Sequence, residues 1–401
     1  MRMSLAVVMT MVLVGNASAD PPAGGGGLDA NAAADEMSAE LRAAVDVQLR
    51  KNVLELSRQG TLTSNSTSSL TGGFQWPLRP VPSLTDPDYH GISNFVDLNP
   101  PNAANVLDWN CGTRSYALSS VQSPPNGYSH SGDDLFLWPF PWLLMDQRKI
   151  DIVAAAPGTI IGKFDGNPDR NCSFNSNAPN AVYVQHADGS VAWYFHMKSG
   201  SLTAKPVGAT VAVGEFLGNV GSSGSSTAPH LHFEIHSSLS NYQILDSFSG
   251  TCNAAQNASL WAVQPAYYDS KINKVATHSA PPVMPACAAT PADDETPNFK
   301  NAFQPGDALI YVFYYHDQEK GQANQITVFE PGGSQYESFS FDMANVSGQP
   351  NSYAASYWYW TRTLPANAPS GVWIVQGVYQ GQTYQHRFNV GDVIFADGFE
   401  S

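Results

Sequence analysis

Residues 229–236 read PHLHFEIH, and this stretch decides how the chain can be interpreted. Side chains alternate between the two faces of an extended strand. Leu231, Phe233 and Ile235 would therefore face a core. His230 and His232 would share the opposite face, where one imidazole can bind a metal and the other can lie just outside the coordination shell. The stretch predicts a half-buried β-strand that carries a reactive histidine pair.

A second motif lies about a hundred residues upstream, where the chain reads His130-Ser131-Gly132-Asp133-Asp134. Gly132 permits a tight turn that would bring His130 and Asp134 to one point. Two imidazole nitrogens and one carboxylate oxygen make a three-ligand zinc site whose fourth position is open to water, the arrangement of a catalytic rather than a structural zinc. Each motif alone is weak in a chain with 10 histidines, so the prediction depends on their conjunction.

These motifs resemble those of the lysostaphin-type (LytM-domain) zinc metallopeptidases, which hydrolyse peptide bonds in bacterial cell-wall crosslinks. The family's H-x-G-x-D motif matches His130, Gly132 and Asp134, and its H-x-H motif matches His230 and His232. The resemblance spans roughly residues 128–236 in order. Further matching segments are residues 155–160, 184–196 and 214–234.

The resemblance implies that His130, Asp134 and His232 bind Zn²⁺. It also implies that His196 and His230 are the non-ligating catalytic pair, one accepting a proton and the other stabilising the oxyanion. Which of the two is the general base stays open.

Three further polar residues are left out of the ligand and catalytic sets. Asp133 is adjacent to the expected ligand, but the motif's spacing selects Asp134. His186 matches a common family position without a catalytic role, and we expect it to be a hydrogen-bonded structural histidine. Glu234 is likewise interpreted as structural.

Composition and charge exclude some functions. The net charge is −15, with 19 basic and 34 acidic side chains, so there is no basic surface typical of nucleic-acid binding. Arg2, the apolar run of residues 5–14 and Ala17-Ser18-Ala19 predict a signal peptide with a mature start near Asp20. The run is too short to span a membrane. We therefore expect a secreted protein, extracellular or periplasmic.

The predicted fold class is mainly β: an antiparallel β-sheet metallopeptidase domain, then a β-sandwich (immunoglobulin-like) accessory domain, after a helical N-terminal segment. Residues 28–58 have the periodicity of an amphipathic helix. That helix is either packed on the domain or part of a propeptide that is later removed. The predicted divisions are signal peptide 1–19, helical propeptide or linker 20–73, metallopeptidase 74–290, accessory domain 291–391 and tail 392–401.

Several side chains outside the motifs have two interpretations. Trp138 and Trp142 either line the substrate cleft or pack within their loop. The aromatic run of residues 357–360 either stacks on sugar rings or packs in a core, and core packing is favoured. The four cysteines predict two disulfides, which we expect to pair sequentially as Cys111–Cys172 and Cys252–Cys287.

The sequence thus predicts a monomeric, zinc-dependent endopeptidase with peptidoglycan or another peptide as its substrate. Two alternatives stay open. The enzyme could digest extracellular proteins, which its acidic charge mildly favours because many cell walls are anionic. A catalytically inactive wall-binding or activator module is the other, and retention of all five matched residues argues against it.

Overall fold

The computed structural model describes residues 20–28, 37–62, 72–97, 107–114, 130–239, 243–253, 258–285, 287, 288, 290 and 295–392. The predicted signal peptide, residues 29–36 and 63–71 of the predicted propeptide or linker, and nearly all of the predicted tail lie outside the described residues. The described chain is mainly β, in largely antiparallel sheets, as the sequence predicted.

The long helix is α1 (Ala39–Arg58), and a short helix is α2 (Pro141–Asp146). The strands in chain order are β1 (Gly24–Leu28), β2 (Leu78–Pro80), β3 (His90–Asn94), β4 (Asp133–Leu137), β5 (Ile150–Val153), β6 (Gly158–Phe164), β7 (Ala181–Gln185), β8 (Val191–Phe195), β9 (Thr210–Val211), β10 (Phe216–Asn219), β11 (His230–His236), β12 (Ile244–Leu245), β13 (Lys271–His278), β14 (Ala302–Phe303), β15 (Ala308–Glu319), β16 (Asn324–Phe329), β17 (Gln335–Phe341), β18 (Ser352–Thr363), β19 (Gly371–Tyr379) and β20 (Gln382–Val390).

The first unit is built on a large sheet with strand order β3-β4-β11-β8-β7-β6-β9, in which β12 also pairs with β11. One face of this sheet packs against a small sheet, β10-β5-β2, and buries Leu231, Phe233 and Ile235 as the alternation predicts. The other face carries the even-numbered side chains of β11. That face is the one on which the predicted site lies.

Helix α1 packs on this same face of the large sheet. The side chain of Ser38 caps its first turn by accepting a hydrogen bond from the backbone of Leu41, 3.3 Å away. Leu49, with no exposed surface, packs in one cluster with Tyr183 and Trp193 of the sheet. Burial of this apolar stripe fixes the helix to the sheet, as expected if the helix is packed on the domain.

The second unit is a β-sandwich. Its sheets have the orders β1-β18-β15-β13 and β14-β20-β19-β16-β17, and one hydrophobic cluster fills the space between them. Strands β1 and β13 belong to this unit, although the sequence analysis placed residues 24–28 in the N-terminal segment and residues 271–278 in the first domain. Both are edge strands that pair across a predicted domain boundary, β1 with β18 near the other end of the chain and β13 with β15 beyond residue 290, so local sequence does not reveal where they pair. Immunoglobulin-like topology for this unit stays a prediction.

The aromatic run on β18 packs on both faces of its sheet. Trp358 and Trp360 are buried in the sandwich core, with exposed fractions of 2% and 0%. Tyr357 and Tyr359 are partly buried on the opposite face, against a cluster that joins the two units. The favoured core interpretation thus describes the two tryptophans, and the tyrosines pack at the joint.

That joint also contains side chains from the segment that follows Asp134. Trp138 and Phe140 are buried against Ile310 and Tyr314 of the sandwich, with Trp138 only 1% exposed. Trp142 is equally buried, beside Met145 and Ala288. Trp138 and Phe140 thus connect the two units, whereas Trp142 packs against the segment that follows β13; both tryptophans are buried rather than lining a cleft.

The disulfides pair Cys111 with Cys252 and Cys172 with Cys287. The sequential pairing expected from the sequence is therefore wrong, although two intramolecular disulfides are present. Each bridge joins segments more than a hundred residues apart, at sequence separations of 141 and 115. Proximity in sequence carries no information about such long-range closures.

Candidate metal centre and active site

Strand register brings the predicted site residues together. In the antiparallel pairing of β11 with β4, His232 lies directly opposite Asp134. On the other side, β8 places Phe195 opposite His232, so that His196 follows at the end of the neighbouring strand. Residues far apart in the chain therefore converge because three adjacent strands share one face of the sheet.

His130, Asp134 and His232 form a compact buried group. Oδ1 of Asp134 lies 2.9 Å from Nδ1 of His232, and its Oδ2 lies 3.3 Å from Nε2 of His130. The exposed fractions of these three residues are 0–2%. Burial alone would raise the pKa of Asp134, but the adjacent imidazoles hold it well below its usual value. The carboxylate is thus ionised and able to act as a ligand.

Gly132 is needed here for close approach rather than for an unusual backbone angle. A Cβ at this position would lie 2.5 Å from the carbonyl oxygen of Phe233 and 2.7 Å from Nε2 of His232. Both distances are shorter than real contacts, and the first involves backbone that cannot turn aside. Any larger residue would push β4 away from β11, and this would separate His130 and Asp134 from His232.

His196 and His230 lie beside this group, with ring centroids 4.5 Å apart. The Nδ1 of His196 donates to the carbonyl oxygen of Ser223 at 2.6 Å, and that of His230 donates to the carbonyl oxygen of Ala228 at 2.8 Å. With these tautomers each Nε2 is the basic nitrogen. Nε2 of His230 lies 3.5 Å from Oδ1 of Asp134.

Asp133 and His186 make contacts outside the group of candidate ligands. Asp133 points to the other face of β4, where the hydroxyl of Ser247 donates to it and burial raises its pKa to about 7. Nδ1 of His186 donates to the carbonyl oxygen of Pro157 at 2.9 Å.

Two charged residues that the motifs do not identify, Glu234 and Arg42, contact the site. Glu234, interpreted as structural, accepts a hydrogen bond from Nε2 of His232 at 2.9 Å. Arg42 of α1 pairs with Glu234 through both guanidinium NH groups. The buried positions of α1 are Arg42, Val45, Leu49 and Leu56. This spacing puts an arginine in line with the apolar stripe, a signal that could have identified Arg42 from the sequence.

The donor set fits a metal ion. The ligand atoms of His130, Asp134 and His232 all lie within 4.8 Å of one another. Nδ1 of His130 donates to the carbonyl oxygen of Phe95 at 2.7 Å, which leaves its Nε2 as the nitrogen available to a metal. Such outer hydrogen bonds fix the tautomer of metal-binding histidines. Two imidazoles and one carboxylate with room for a water are the donor set of catalytic zinc.

Comparisons with known proteins point to the same segment. Residues 145–244 match peptidase family M23. The peptidoglycan DD-endopeptidase ShyC of Vibrio cholerae is 27% identical over 144 residues, covering 35% of this chain and 32% of the relative. The chain thus matches about a third of that protein's length.

Two solved structures are also similar in sequence. The catalytic domain of lysostaphin from Staphylococcus simulans is 29% identical, covering 30% of this chain and 77% of that chain, with a TM-score of 0.21. A variant of the catalytic domain of the prophage-encoded M23 protein EnpA from Enterococcus faecalis is 26% identical, covering 31% and 81%, with a TM-score of 0.22.

The family match includes His196, His230 and His232, whereas Asp134 of β4 and His130, just before that strand, lie outside the matched range. The chain therefore contains a domain of peptidase family M23, the lysostaphin-type peptidases.

Proposed function

We propose that this chain is an exported zinc-dependent endopeptidase that hydrolyses peptide bonds in peptidoglycan crosslinks. The observation that carries the proposal is the convergence of His130, Asp134 and His232 within 4.8 Å, next to the His196–His230 pair. The similarity to a peptidoglycan endopeptidase supports the substrate class. The second unit would be an accessory module that stabilises the enzyme or contributes to substrate binding.

His130, Asp134 and His232 would hold the zinc ion through Nε2, a carboxylate oxygen and Nδ1, respectively. When bound, zinc would polarise the scissile carbonyl and lower the pKa of a water from ~15.7 towards ~7. The protein's own contribution is to present these donors in fixed tautomers on a rigid sheet. The cost of burying the two imidazoles is offset by the hydrogen bonds that their other ring nitrogens donate, from His130 to the carbonyl oxygen of Phe95 and from His232 to Glu234.

His196 and His230 would perform the proton transfers. Each has its Nδ1 hydrogen committed to a backbone carbonyl, so each can take up or return a proton at Nε2. One neutral imidazole would accept the proton of the attacking water and pass it to the leaving amine. The other, when protonated, would stabilise the oxyanion.

Export is supported by the two disulfides, which fit an oxidising compartment. Among the described residues, no helix is long and apolar enough to cross a membrane.

The function is tested by incubating the purified protein with cell-wall sacculi, with casein and with a glycine-rich peptide, and identifying the products by mass spectrometry. We expect peptide-bond cleavage in sacculi that stops on chelation and returns with added zinc. The His232→Ala protein is the matched negative control. If casein is cleaved while the sacculi stay intact, the substrate class is protein rather than peptidoglycan. If the zinc-loaded protein cleaves none of the substrates, an inactive binding module is favoured.

A further inference from the structure

We propose that Arg42 is a positioning residue of the metal centre, acting through Glu234 on the ligand His232, so that helix α1 is part of the working enzyme rather than a removable propeptide. This inference rests on the proposed function, because it concerns the same zinc site. It adds a residue that lies outside the family match and 88 residues before His130, the start of the closest motif.

The contact between Arg42 and Glu234 is a two-pronged ion pair. The two NH groups of Arg42 lie 2.7 Å and 2.8 Å from the two carboxylate oxygens of Glu234. The side chains are 1% and 0% exposed, and the residues are 192 positions apart in the chain. A buried pair of this kind seldom adds stability over an apolar pair of the same size, because both charges lose their hydration. Its geometry therefore calls for an explanation other than stability.

Glu234 connects the ion pair to the metal centre. Its Oε1 accepts a hydrogen bond from Nε2 of His232 at 2.9 Å, while Nδ1 of the same ring faces Asp134 at 2.9 Å. Its Oε2 accepts a second hydrogen bond from His236 at 2.6 Å. A hydrogen on Nε2 places the ring lone pair of His232 on Nδ1, the nitrogen that faces the other two candidate ligands. The carboxylate thus selects the tautomer that the metal requires.

Packing holds the Arg42 guanidinium in place. It lies over the ring of Trp193, 5.4 Å from the centroid, and Trp193 stacks on His236 at 4.2 Å. The apolar stripe of α1 packs on the large sheet, and the side chain of Asn52 donates to the carbonyl oxygen of Ile161 at 2.8 Å. Both contacts fix the helix. The docked helix therefore holds the Arg42 guanidinium at a defined position against Glu234, which in turn contacts the candidate ligand His232.

Loss of α1 would leave the buried carboxylate of Glu234 with its two imidazole partners but without its cation. Removing one partner of a buried ion pair is strongly destabilising, because the other charge stays buried without compensation. Water or a proton would then reach Glu234, and the orientation of His232 would no longer be fixed. This consequence is the reason to place α1 in the mature enzyme.

The test uses full-length Arg42→Met, Arg42→Lys, Glu234→Gln and the double variant Arg42→Met/Glu234→Gln. Arg58→Met is the matched control, since Arg58 is on the same helix with its side chain 76% exposed. Zinc affinity is measured by competition with a chromogenic chelator, and melting temperatures are measured for the zinc-free and zinc-loaded forms. Visible spectra of the cobalt-substituted proteins report the ligand geometry directly.

We expect Arg42→Met to weaken zinc binding about 10- to 100-fold, the usual effect of losing a residue that orients a ligand, and to alter the cobalt spectrum. Arg42→Lys should recover part of the affinity, and Arg58→Met should match the wild type. The double variant keeps a hydrogen-bond acceptor for His232 without the unpaired charge, so it should fold and regain part of the loss even if Arg42→Met does not fold.

The inference is overturned if Arg42→Met, or the double variant in its place, lowers both melting temperatures equally while zinc affinity and the cobalt spectrum stay those of the wild type. Such a result would make the ion pair purely structural. A wild-type protein that binds no zinc would instead overturn the proposed function, so the two failures are distinguishable.

Discussion

The two β units differ in what they bury. The sandwich core is built from aromatic and aliphatic side chains, with Trp358, Trp360 and Trp373 at 0–2% exposure. The α1 face of the large sheet instead buries a network of charged and ionisable groups that includes Arg42, His232 and Glu234, each at 0–1% exposure. Aromatic burial stabilises a fold directly, whereas buried ionisable groups cost free energy unless they are paired. The difference is the one expected if the sandwich serves stability and the large sheet serves the proposed chemistry.

The largest expected effect comes from removing a metal ligand. His232→Ala, Asp134→Ala and His130→Ala should each lower the zinc content from one per chain to near zero and reduce turnover to background, because the remaining two donors cannot hold the ion tightly. Elemental analysis and sacculus digestion are the measurements. His186→Ala serves as the control, because His186 is a buried histidine of the same unit whose Nδ1 donates to the backbone carbonyl oxygen of Pro157. Full zinc occupancy in His232→Ala would contradict the ligand assignment.

The next effect separates ligands from proton-transfer groups. His196→Ala and His230→Ala should keep zinc and lose about 10²- to 10⁴-fold in kcat, with KM changing little, as expected for general acid–base residues. Zinc content, melting temperature and kcat are measured on the same preparations. Normal zinc, normal stability and near wild-type kcat in either variant would remove that histidine from the mechanism.

A core substitution in the sandwich should produce the opposite pattern. Trp360→Ala removes a fully buried ring and should destabilise the protein by about 3–5 kcal/mol, the usual cost of such a cavity. Zinc affinity of the folded protein should stay unchanged. Chemical denaturation with a parallel zinc titration checks both. Weakened zinc binding by the folded variant would mean that the two units are not separated in function as the comparison suggests.

The smallest effect concerns pH and a buried histidine of the sandwich. Burial lowers the pKa of His278 to about 4 from its usual 6.5. Between these values the unfolded chain binds the proton and the folded chain does not. His278 therefore reduces stability as pH falls through this window, by about 1 kcal/mol per pH unit. His278→Gln should flatten that part of the stability curve measured by denaturation from pH 7 to pH 4.5. An unchanged slope would show that His278 does not contribute.

Strand positions could be predicted well where alternation or an apolar run is strong. The sequence pattern predicts a strand at residues 371–379, which coincides with β19. It also predicts strands at residues 158–163 and 181–186, which differ from β6 and β7 by a residue at one end. Strand β17 (Gln335–Phe341) was missed because its polar side chains obscure the alternation. The mainly β class is confirmed, because it depends on local pattern.

The site was predicted only in part. The even spacing of His230 and His232 places both on one face from sequence alone, and Glu234 shares that face by the same rule. Glu234 was nevertheless interpreted as structural, because no sequence pattern shows that an arginine 192 residues away comes to lie against it. The roles of the five motif residues stay predictions until the variants are measured.

The sequence by itself determined the periodicity of the strands, the amphipathic helix and the presence of a metal-binding motif pair, because each depends on residues within a few positions of one another. Only the tertiary structure decided the disulfide pairing, the docking of Trp138 on the sandwich and the contact of Arg42 with Glu234. These features depend on where the chain returns after more than a hundred residues. The place to which the chain returns depends on the packing of whole sheets, and no local stretch of sequence encodes it.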